Sequence, residues 1–395
     1  MSRLVLISAV VLFSTPFPLS AKDDFSNQAL MTSSNRKVTG KMMGGWGQHL
    51  RSLLTMRNGT QWFAAETGSN VSSNTSMVYY KKTDKGWKSV GSVALYPGIQ
   101  QNMAITTNGR IIYAYGINTK SNWAMECWFD TWKPGFNLNT CNAIATNIPA
   151  ESNYIGAAIR KDYTRITWWS VVGYPSGGQF YYTYNFGSGW NGPVASGIGG
   201  YGSAGYVSAS FDSKGYLRLV SELYLSGTYQ AAIALLVPGQ NVRWSILKGG
   251  RSSSDIWHDP ISGTTHVLAT QKVGVGYYVI KKADWPKSGS PILVFNNAFR
   301  IRFAEVGEKL ILIHDDRTID KILVRSVNKS ELAEAVKWDT ISPLLLPRPS
   351  GNGKAYLNAI WTQDRSKQLV QTNIDPAFAV CGSYPANDNK IWVYN

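Results

Sequence analysis

Cysteine, histidine and charged side chains are scarce in this chain of 395 residues. Three cysteines are too few for a disulfide-based scaffold, and no spacing of cysteine and histidine is typical of structural zinc. We predict neither a metal centre nor a cofactor. Charged residues make up only 16% of the chain, whereas surface helices need a solvated, charged face. The 37 glycines, 15 tryptophans and 21 tyrosines instead favour short strands joined by tight turns.

The few cysteines leave two interpretations open. Cys127 and Cys141 flank one predicted hairpin, so they are either a disulfide across that hairpin or two buried thiols. Cys381 stands alone in the last part of the chain. Because the count is odd, at least one thiol stays unpaired within the chain in both cases.

Long apolar runs are absent, apart from one near the start. Residues 4–13 are apolar and follow Arg3, and small residues recur up to Ala21. A positive residue, an apolar stretch of about ten residues and a small residue at the cut are typical of a secretory signal peptide, and the run is too short for a membrane anchor. We predict cleavage of residues 1–21, a mature chain of residues 22–395 without a membrane span, and a secreted or periplasmic location. A buried amino-terminal strand is the alternative interpretation.

Negative charge is in deficit, and the formal net charge is +15. Such an excess attracts polyanions, among them acidic polysaccharides, anionic surface polymers and nucleic acid. The positive residues are spread along the chain, without a basic run or a nucleic-acid motif. We therefore expect an acidic polysaccharide or glycan as the partner, no nucleic acid, and a monomeric protein. The other interpretation is that the charge serves only solubility.

A repeat with a period of about fifty residues runs through the chain. Each copy is a hairpin made of an apolar strand, a turn rich in Asn, Asp and Gly, and a second apolar or aromatic strand. The predicted hairpins span residues 50–65, 103–115, 155–170, 207–220, 256–270, 301–313 and 357–372. A second hairpin follows most of them, and its clearest copies span residues 77–93 and 180–190.

Two hairpins in each repeat make a four-stranded antiparallel sheet with two apolar faces. A ring of such sheets buries both faces, so the sequence predicts an all-β fold with one domain, a seven-bladed β-propeller. The last repeat is short, and only residues 390–395 remain for its outer strands. We expect residues 28–38 to supply the missing strand, so that the ring closes by pairing of the N- and C-terminal strands. Residues 330–337 could form a short helix in a surface insertion.

The turns of the second hairpins resemble those of a known superfamily. Residues 83–87, Thr-Asp-Lys-Gly-Trp, and residues 185–190 resemble the Asp-box turn of sialidase-like (BNR-repeat) β-propellers, in which the aromatic residue packs into the blade. This resemblance implies that the turns lie opposite the binding site. It also implies a scaffold that sialidases share with polysaccharide lyases and glycan-binding lectins. The sequence lacks the Phe-Arg-Ile-Pro element of sialidases, and Arg51 is the only obvious early candidate for their arginine triad.

The face opposite these turns is the predicted location of the functional site. We call it the upper face: it holds the loops that enter the first strand and leave the second strand of each blade, while the turns lie on the lower face. Three of the four histidines are assigned to the upper face, and an imidazole can act as acid or base at neutral pH. The candidate substrate-binding residues of this face are Trp46, Gln48, Glu66, Gln101, Asn102, Trp169, Glu222, Trp257 and His314.

Three chemistries are compatible with these residues. In a lyase, His49 or His258 would be the base, Tyr154 the acid, and Arg51 or Arg300 would neutralise the uronate carboxylate. In a glycoside hydrolase on the sialidase-like scaffold, the general two-carboxylate scheme would apply, with Glu66, Glu222 and Asp315 as candidates to flank the bond. In a non-catalytic lectin or interaction scaffold, Trp46, Trp169 and Trp257 would stack on sugar rings. Candidate residues that differ from blade to blade favour one central site over a multivalent lectin, and of the two enzymes we place the lyase ahead of the hydrolase.

Overall fold

The protein is all-β, as its sequence predicts. The structure is a computed structural model that describes the strands given below, with side chains for residues 81–85, 88–91, 181–185, 188–195 and most of 208–345. Among these residues the regular elements are strands and two 3-10 helices of three residues each. No helix in the described part of the chain has the length and apolar character needed to cross a membrane.

The strands of the first half of the chain coincide with the predicted hairpins. They are β1 (Gln28–Ala29), β2 (Lys41–Met42), β3 (Leu53–Thr55), β4 (Gln61–Gly68), β5 (Thr75–Thr83), β6 (Gly86–Leu95), β7 (Asn102–Ile105), β8 (Arg110–Asn118), β9 (Trp123–Asp130), β10 (Cys141–Thr146), β11 (Ser152–Ile159), β12 (Arg165–Val171), β13 (Gly178–Asn185) and β14 (Trp190–Gly200).

The second half continues the same pattern of paired hairpins. Its strands are β15 (Gly205–Phe211), β16 (Leu217–Leu225), β17 (Thr228–Leu236), β18 (Arg243–Ile246), β19 (Ser252–His258), β20 (Thr265–Thr270), β21 (Val275–Ile280), β22 (Leu293–Phe295), β23 (Ala298–Val306), β24 (Lys309–Asp316), β25 (Lys321–Asn328), β26 (Leu344–Pro347), β27 (Leu357–Thr362), β28 (Phe378–Gly382) and β29 (Ile391–Tyr394).

These strands form seven antiparallel sheets within the described residues. Six sheets have four strands, and one has five because β2 and β3 both pair with β4. The first strand of each repeat is the inner strand of its sheet, and each inner strand lies against the inner strand of the next sheet, from β3 through β7, β11, β15, β19 and β23 to β27. The last hairpin differs from the prediction, since its second strand is β28 rather than residues 364–372.

The two ends of the chain meet in the last sheet. Gln28 and Ala29 of β1 pair with Val393 and Trp392 of β29, and the strand order is β27, β28, β29, β1. The expected contribution of the N-terminal stretch to this sheet is therefore confirmed for residues 28–29. The predicted signal peptide, residues 1–21, lies outside the described residues and stays a prediction.

Neighbouring sheets pack face to face through apolar side chains. Between the sheets β15–β18 and β19–β22 the buried cluster includes Val220, Ile233, Leu235, Ile256, Val267 and Tyr278. Between the sheets β19–β22 and β23–β26 it includes Trp257, Leu268, Tyr277, Ile301, Phe303 and Leu312. Both faces of the middle sheet are thus covered by its neighbours, which is the arrangement that two-faced apolar sheets require.

The insertion after β25 packs onto the second of these clusters. Its two 3-10 helices, Lys329–Glu331 and Trp338–Thr340, replace the short helix expected over residues 330–337. Leu332, Val336 and Trp338 are buried among the side chains of the sheets. Val336 N–H donates to the hydroxyl of Tyr277, so the chain between the two helices is bonded directly to the sheet β19–β22.

His266 fastens this insertion from inside the sheet. Its Nδ1 lies 2.7 Å from the hydroxyl of Tyr277, and its Nε2 lies 3.1 Å from the carbonyl oxygen of Leu332. The hydroxyl accepts from Val336 N–H and donates to Nδ1, so Nε2 carries the proton that binds Leu332. Burial lowers the pKa of His266 to about 4, although the Leu332 carbonyl and the charge of Asp259 oppose the shift.

We predict that stability falls between pH 7 and pH 5 because of His266. Its pKa in the folded protein is lower than the ordinary value of 6.5, so the unfolded chain binds the proton first as the pH drops. The loss amounts to about 2 kcal/mol between these two pH values and is absent above the unfolded pKa. Urea unfolding of the wild type and of His266→Gln measures it. The variant, which can still donate to Leu332, should show a smaller loss; an equal loss in both proteins would contradict the assignment.

The predicted cysteine pair lies within one hairpin. Cys141 of β10 and Cys127 of β9 are direct partners in the strand register. Such opposite positions bring two Cα atoms to about 4.5–5.5 Å, within the usual range of disulfides. A disulfide between them therefore remains a prediction that the register permits.

Candidate functional site

Asp255 connects the inner strands of three sheets near the upper face. It is only 1% exposed, and its carboxylate accepts from Ser208 Oγ of β15 at 2.7 Å, from Phe303 N of β23 at 2.8 Å and from Ile256 N of its own strand at 2.9 Å. Ser210 of β15 in turn lies 3.4 Å from His258 N, so β15 and β19 run in the same direction. The strands β15 and β19 therefore both begin at the upper face.

A buried arginine balances part of the charge of Asp255. Nη1 of Arg302 lies 4.0 Å from Asp255 Oδ1, and both side chains are almost fully buried. A buried ion pair is costly to form, but removing one partner leaves the other charge without compensation. The pair and its hydrogen bonds thus fix the relative positions of the sheets on which the site is built.

We predict that Asp255→Asn lowers the free energy of unfolding by about 3 kcal/mol, because the amide cannot accept all three hydrogen bonds and leaves Arg302 without this partner. Urea unfolding measures the change. Glu308→Gln, at an exposed position in the turn between β23 and β24, is the matched control and should shift stability by no more than about 0.5 kcal/mol. Equal effects of both substitutions would show that Asp255 does not hold the sheets together.

His314 lies at the upper end of β24, where the sequence places it, but it is buried between sheets. Its Nε2 is 2.6 Å from Nη1 of Arg325, and its ring is 5.6 Å from that of Phe295 in the neighbouring sheet. Since the guanidinium can only donate, Nε2 is the acceptor and Nδ1 carries the proton. Arg325 Nε donates to the carbonyl of Ile341, so this pair also fixes the insertion. Burial lowers the pKa of Arg325, against the nearby charges of Asp316 and Asp339.

Glu222 and an aromatic pair occupy the upper end of the sheet β15–β18. Glu222 is buried and lies opposite Gly205, the first residue of the inner strand β15. Two residues further, Tyr224 pairs with Tyr229 across the hairpin, with ring centroids 5.0 Å apart. Tyr229 is 54% exposed, which is high for a tyrosine in a strand.

Bulges occur near the start of five successive inner strands. The register shifts fall between Asn153 and Ile155, Gly205 and Val207, Ser253 and Asp255, Ala298 and Ile301, and Leu357 and Ala359. A bulge residue is left out of the strand ladder, and bulges are enriched next to active sites because they redirect a side chain. Tyr154 and Arg300, two of the predicted catalytic residues, stand at bulge positions.

The prediction for His258 is wrong about its face. β19 begins at Ser252, and His258 is its last residue, beside the lower turn to β20. Its Nδ1 lies 2.9 Å from Thr265 Oγ1, and the side chain is buried. The adjoining Trp257 is 1% exposed within the apolar cluster and 5.6 Å from the ring of His266, so it is a packing residue rather than a surface for sugar.

The remaining predicted residues are placed by strand position alone. Glu66, Asn102 and Trp169 lie near the upper ends of β4, β7 and β12. The other candidates lie outside the described residues; they are Trp46, Gln48, His49, Arg51 and Gln101. Within the described part of the chain, no group of three or more His, Cys, Asp or Glu side chains could hold a metal ion.

Comparison with known proteins identifies the fold. No family model matches the sequence, and no curated protein matches it.

The structure is similar to a lectin from Burkholderia pseudomallei, with a TM-score of 0.56 and 12% identity over 87% of this chain and 96% of the lectin. It is also similar to an ulvan lyase of polysaccharide lyase family 25, with a TM-score of 0.52 and 9% identity over 90% of this chain and 93% of that one. A third similar structure is the polysaccharide lyase Uly1, with a TM-score of 0.50 and 10% identity over 89% and 90% of the two chains. The predicted resemblance to sialidase-like β-propellers is thus confirmed at the level of the fold.

Proposed function

We propose that this chain is exported, closes as a seven-bladed β-propeller, and cleaves an acidic polysaccharide as a lyase on its upper face. The observation that carries the proposal is the row of bulges there, which takes Tyr154 and Arg300 out of their strand ladders. A tyrosine and an arginine are the acid and the carboxylate-binding group that elimination from a uronate requires.

Closure of the ring is supported by the ends of the chain. The seven inner strands follow one another side by side from β3 to β27, and β1 completes the sheet of β27. A contact between β27 and β3 would finish the circle. Pairing of the terminal strands would then hold the first and last blades together without a disulfide.

An acidic substrate is supported by charge. The formal net charge of +15 creates a field that attracts polyanions to the protein. A lyase also needs positive charge in its site, because the carboxylate of the sugar must be neutralised before the adjacent carbon can lose its proton. Arg51 and Arg300 are the proposed groups for this role.

The proposed reaction is an elimination. His49 removes the proton from the carbon next to the carboxylate, and the electron pair of that bond forms a carbon–carbon double bond as the bond to the glycosidic oxygen breaks. Tyr154 donates its proton to the leaving oxygen. No water is consumed, and the products are one new chain end and one unsaturated uronate.

The fold comparison leaves a second candidate function. Two of the similar structures are polysaccharide lyases, and the third, with a TM-score of 0.56, is a lectin. A lectin would bind the same acidic glycan through aromatic and cationic groups without cleaving it. A glycoside hydrolase on the sialidase-like scaffold is a further alternative, in which two of the carboxylates Glu66, Glu222 and Asp315 would flank the bond that is hydrolysed.

We predict that incubation with polygalacturonate or another uronic-acid polysaccharide produces the ultraviolet absorbance of an unsaturated uronate. His49→Ala should reduce this rate by about a hundredfold or more, because general-base catalysis contributes that much. His258→Asn, which keeps a polar group beside Thr265, is the matched control and should retain the rate.

The products separate the three functions. New reducing ends without ultraviolet absorbance would show a hydrolase, and binding without either product would show a lectin; both results would overturn the lyase. Loss of activity in His258→Asn but not in His49→Ala would overturn the choice of base.

A further inference from the structure

Three exposed cations gather beside the Tyr224–Tyr229 pair. Lys248 and Arg251 lie in the connection between β18 and β19, and Lys272 lies in the turn between β20 and β21. All three are exposed. Both segments belong to the upper ends of the adjacent sheets β15–β18 and β19–β22.

Backbone hydrogen bonds fix the connection next to the tyrosines. Leu247 N donates to Ala231 O at 2.8 Å, and Ala231 N donates to Gly250 O at 3.0 Å. Ala231 and Tyr229 are two residues apart on β17 and therefore point to the same side of the sheet. The connection that carries Lys248 and Arg251 therefore lies about two strand residues, ~7 Å, from Tyr229 along the sheet.

Lys272 is held close to the same connection. The carbonyl of Lys248 accepts from the hydroxyl of Tyr278 at 2.9 Å, and the amide of Gln271, the neighbour of Lys272, donates to that hydroxyl. Arg251 N also donates to Thr270 O at 2.7 Å. The two segments are therefore joined at several points, and their cations form one basic cluster.

The cluster has no internal partner among the described residues. None of the side chains of Lys248, Arg251 and Lys272 forms an ion pair or a hydrogen bond there. Cations that are not paired within the protein are available to an anionic ligand, and an exposed tyrosine face is a surface on which a sugar ring can stack.

We propose that the Tyr224–Tyr229 pair and the cations Lys248, Arg251 and Lys272 form a binding subsite for an acidic polysaccharide. The tyrosines stack on a sugar ring, and the cations bind its carboxylates or sulfates. This subsite rests on the proposed function and extends it, because it lies on other sheets than Tyr154 of β11 and would hold a part of the polymer away from the reacting bond.

The test compares two triple variants with the same change in charge. Lys248→Gln, Arg251→Gln and Lys272→Gln together remove the cluster. The control combines Lys214→Gln, Arg243→Gln and Lys287→Gln, which are exposed positions beside lower turns of the same two sheets. Binding of polygalacturonate, with dextran as the neutral polymer, is measured by calorimetry at low and high salt.

We expect the upper variant to bind polygalacturonate about tenfold more weakly at low salt and the control to bind it nearly as well as wild type. Tyr229→Ala should weaken binding about fivefold, and Tyr229→Phe should restore it, because stacking needs only the ring. Circular dichroism checks that all variants are folded.

The possible failures are distinguishable. Equal weakening of both triple variants would mean that only the overall charge matters, and would overturn the subsite while leaving the proposed function. No binding of polygalacturonate by the wild type would overturn both. Binding of single-stranded DNA instead, lost in the upper variant alone, would assign the cluster to nucleic acid and overturn the proposal.

Discussion

A sheet that is apolar on both faces is stable in water only when both faces are covered. The sheet β19–β22 shows the constraint: Ile256, Val267 and Tyr278 pack against one neighbour, and Trp257, Leu268 and Tyr277 against the other. Burial of one such side chain contributes about 1.5–3 kcal/mol, so a sheet separated from its neighbours would lose most of its stability. Every apolar face is covered only when the sheets stack face to face in a continuous series. In a closed ring of sheets, no first or last sheet exposes an apolar face to water.

The polar residues between the sheets serve alignment rather than bulk stability. Asp255 reaches Ser208 and Phe303 on the two adjacent inner strands, and Arg302 accompanies it. Apolar side chains still pack when one sheet shifts slightly against the next. A buried carboxylate does not allow such a shift, because every hydrogen bond that is lost leaves a buried polar group without a partner. The inner strands β15, β19 and β23 are thereby held in one register, and the start of β23 carries Arg300.

The repeat was predictable because its signals are local. A turn such as Asn58-Gly59 favours a hairpin whatever surrounds it. In the structure, the two strands of each of the first six predicted hairpins are hydrogen-bonded neighbours. The start of β19 was not predictable, because Ser252, Ser253 and Ser254 carry no apolar pattern. They belong to the strand because Ser252 and Ser253 pair with Thr270 and Ala269 of β20. His258 was assigned to the wrong face for this reason, as the apolar pattern begins at Ile256.

The bulges and the basic cluster could not be predicted either, because both depend on contacts between segments far apart in sequence. The central residues of the strands pack against the neighbouring sheets, so they are apolar whichever ligand the protein binds. The strand ends are free of that requirement, and there the side chains change from Glu222 and Tyr224 in one sheet to His314 in another. A scaffold with identical centres and different ends can present one asymmetric surface, which is what a polymer with a direction needs for binding in a single orientation.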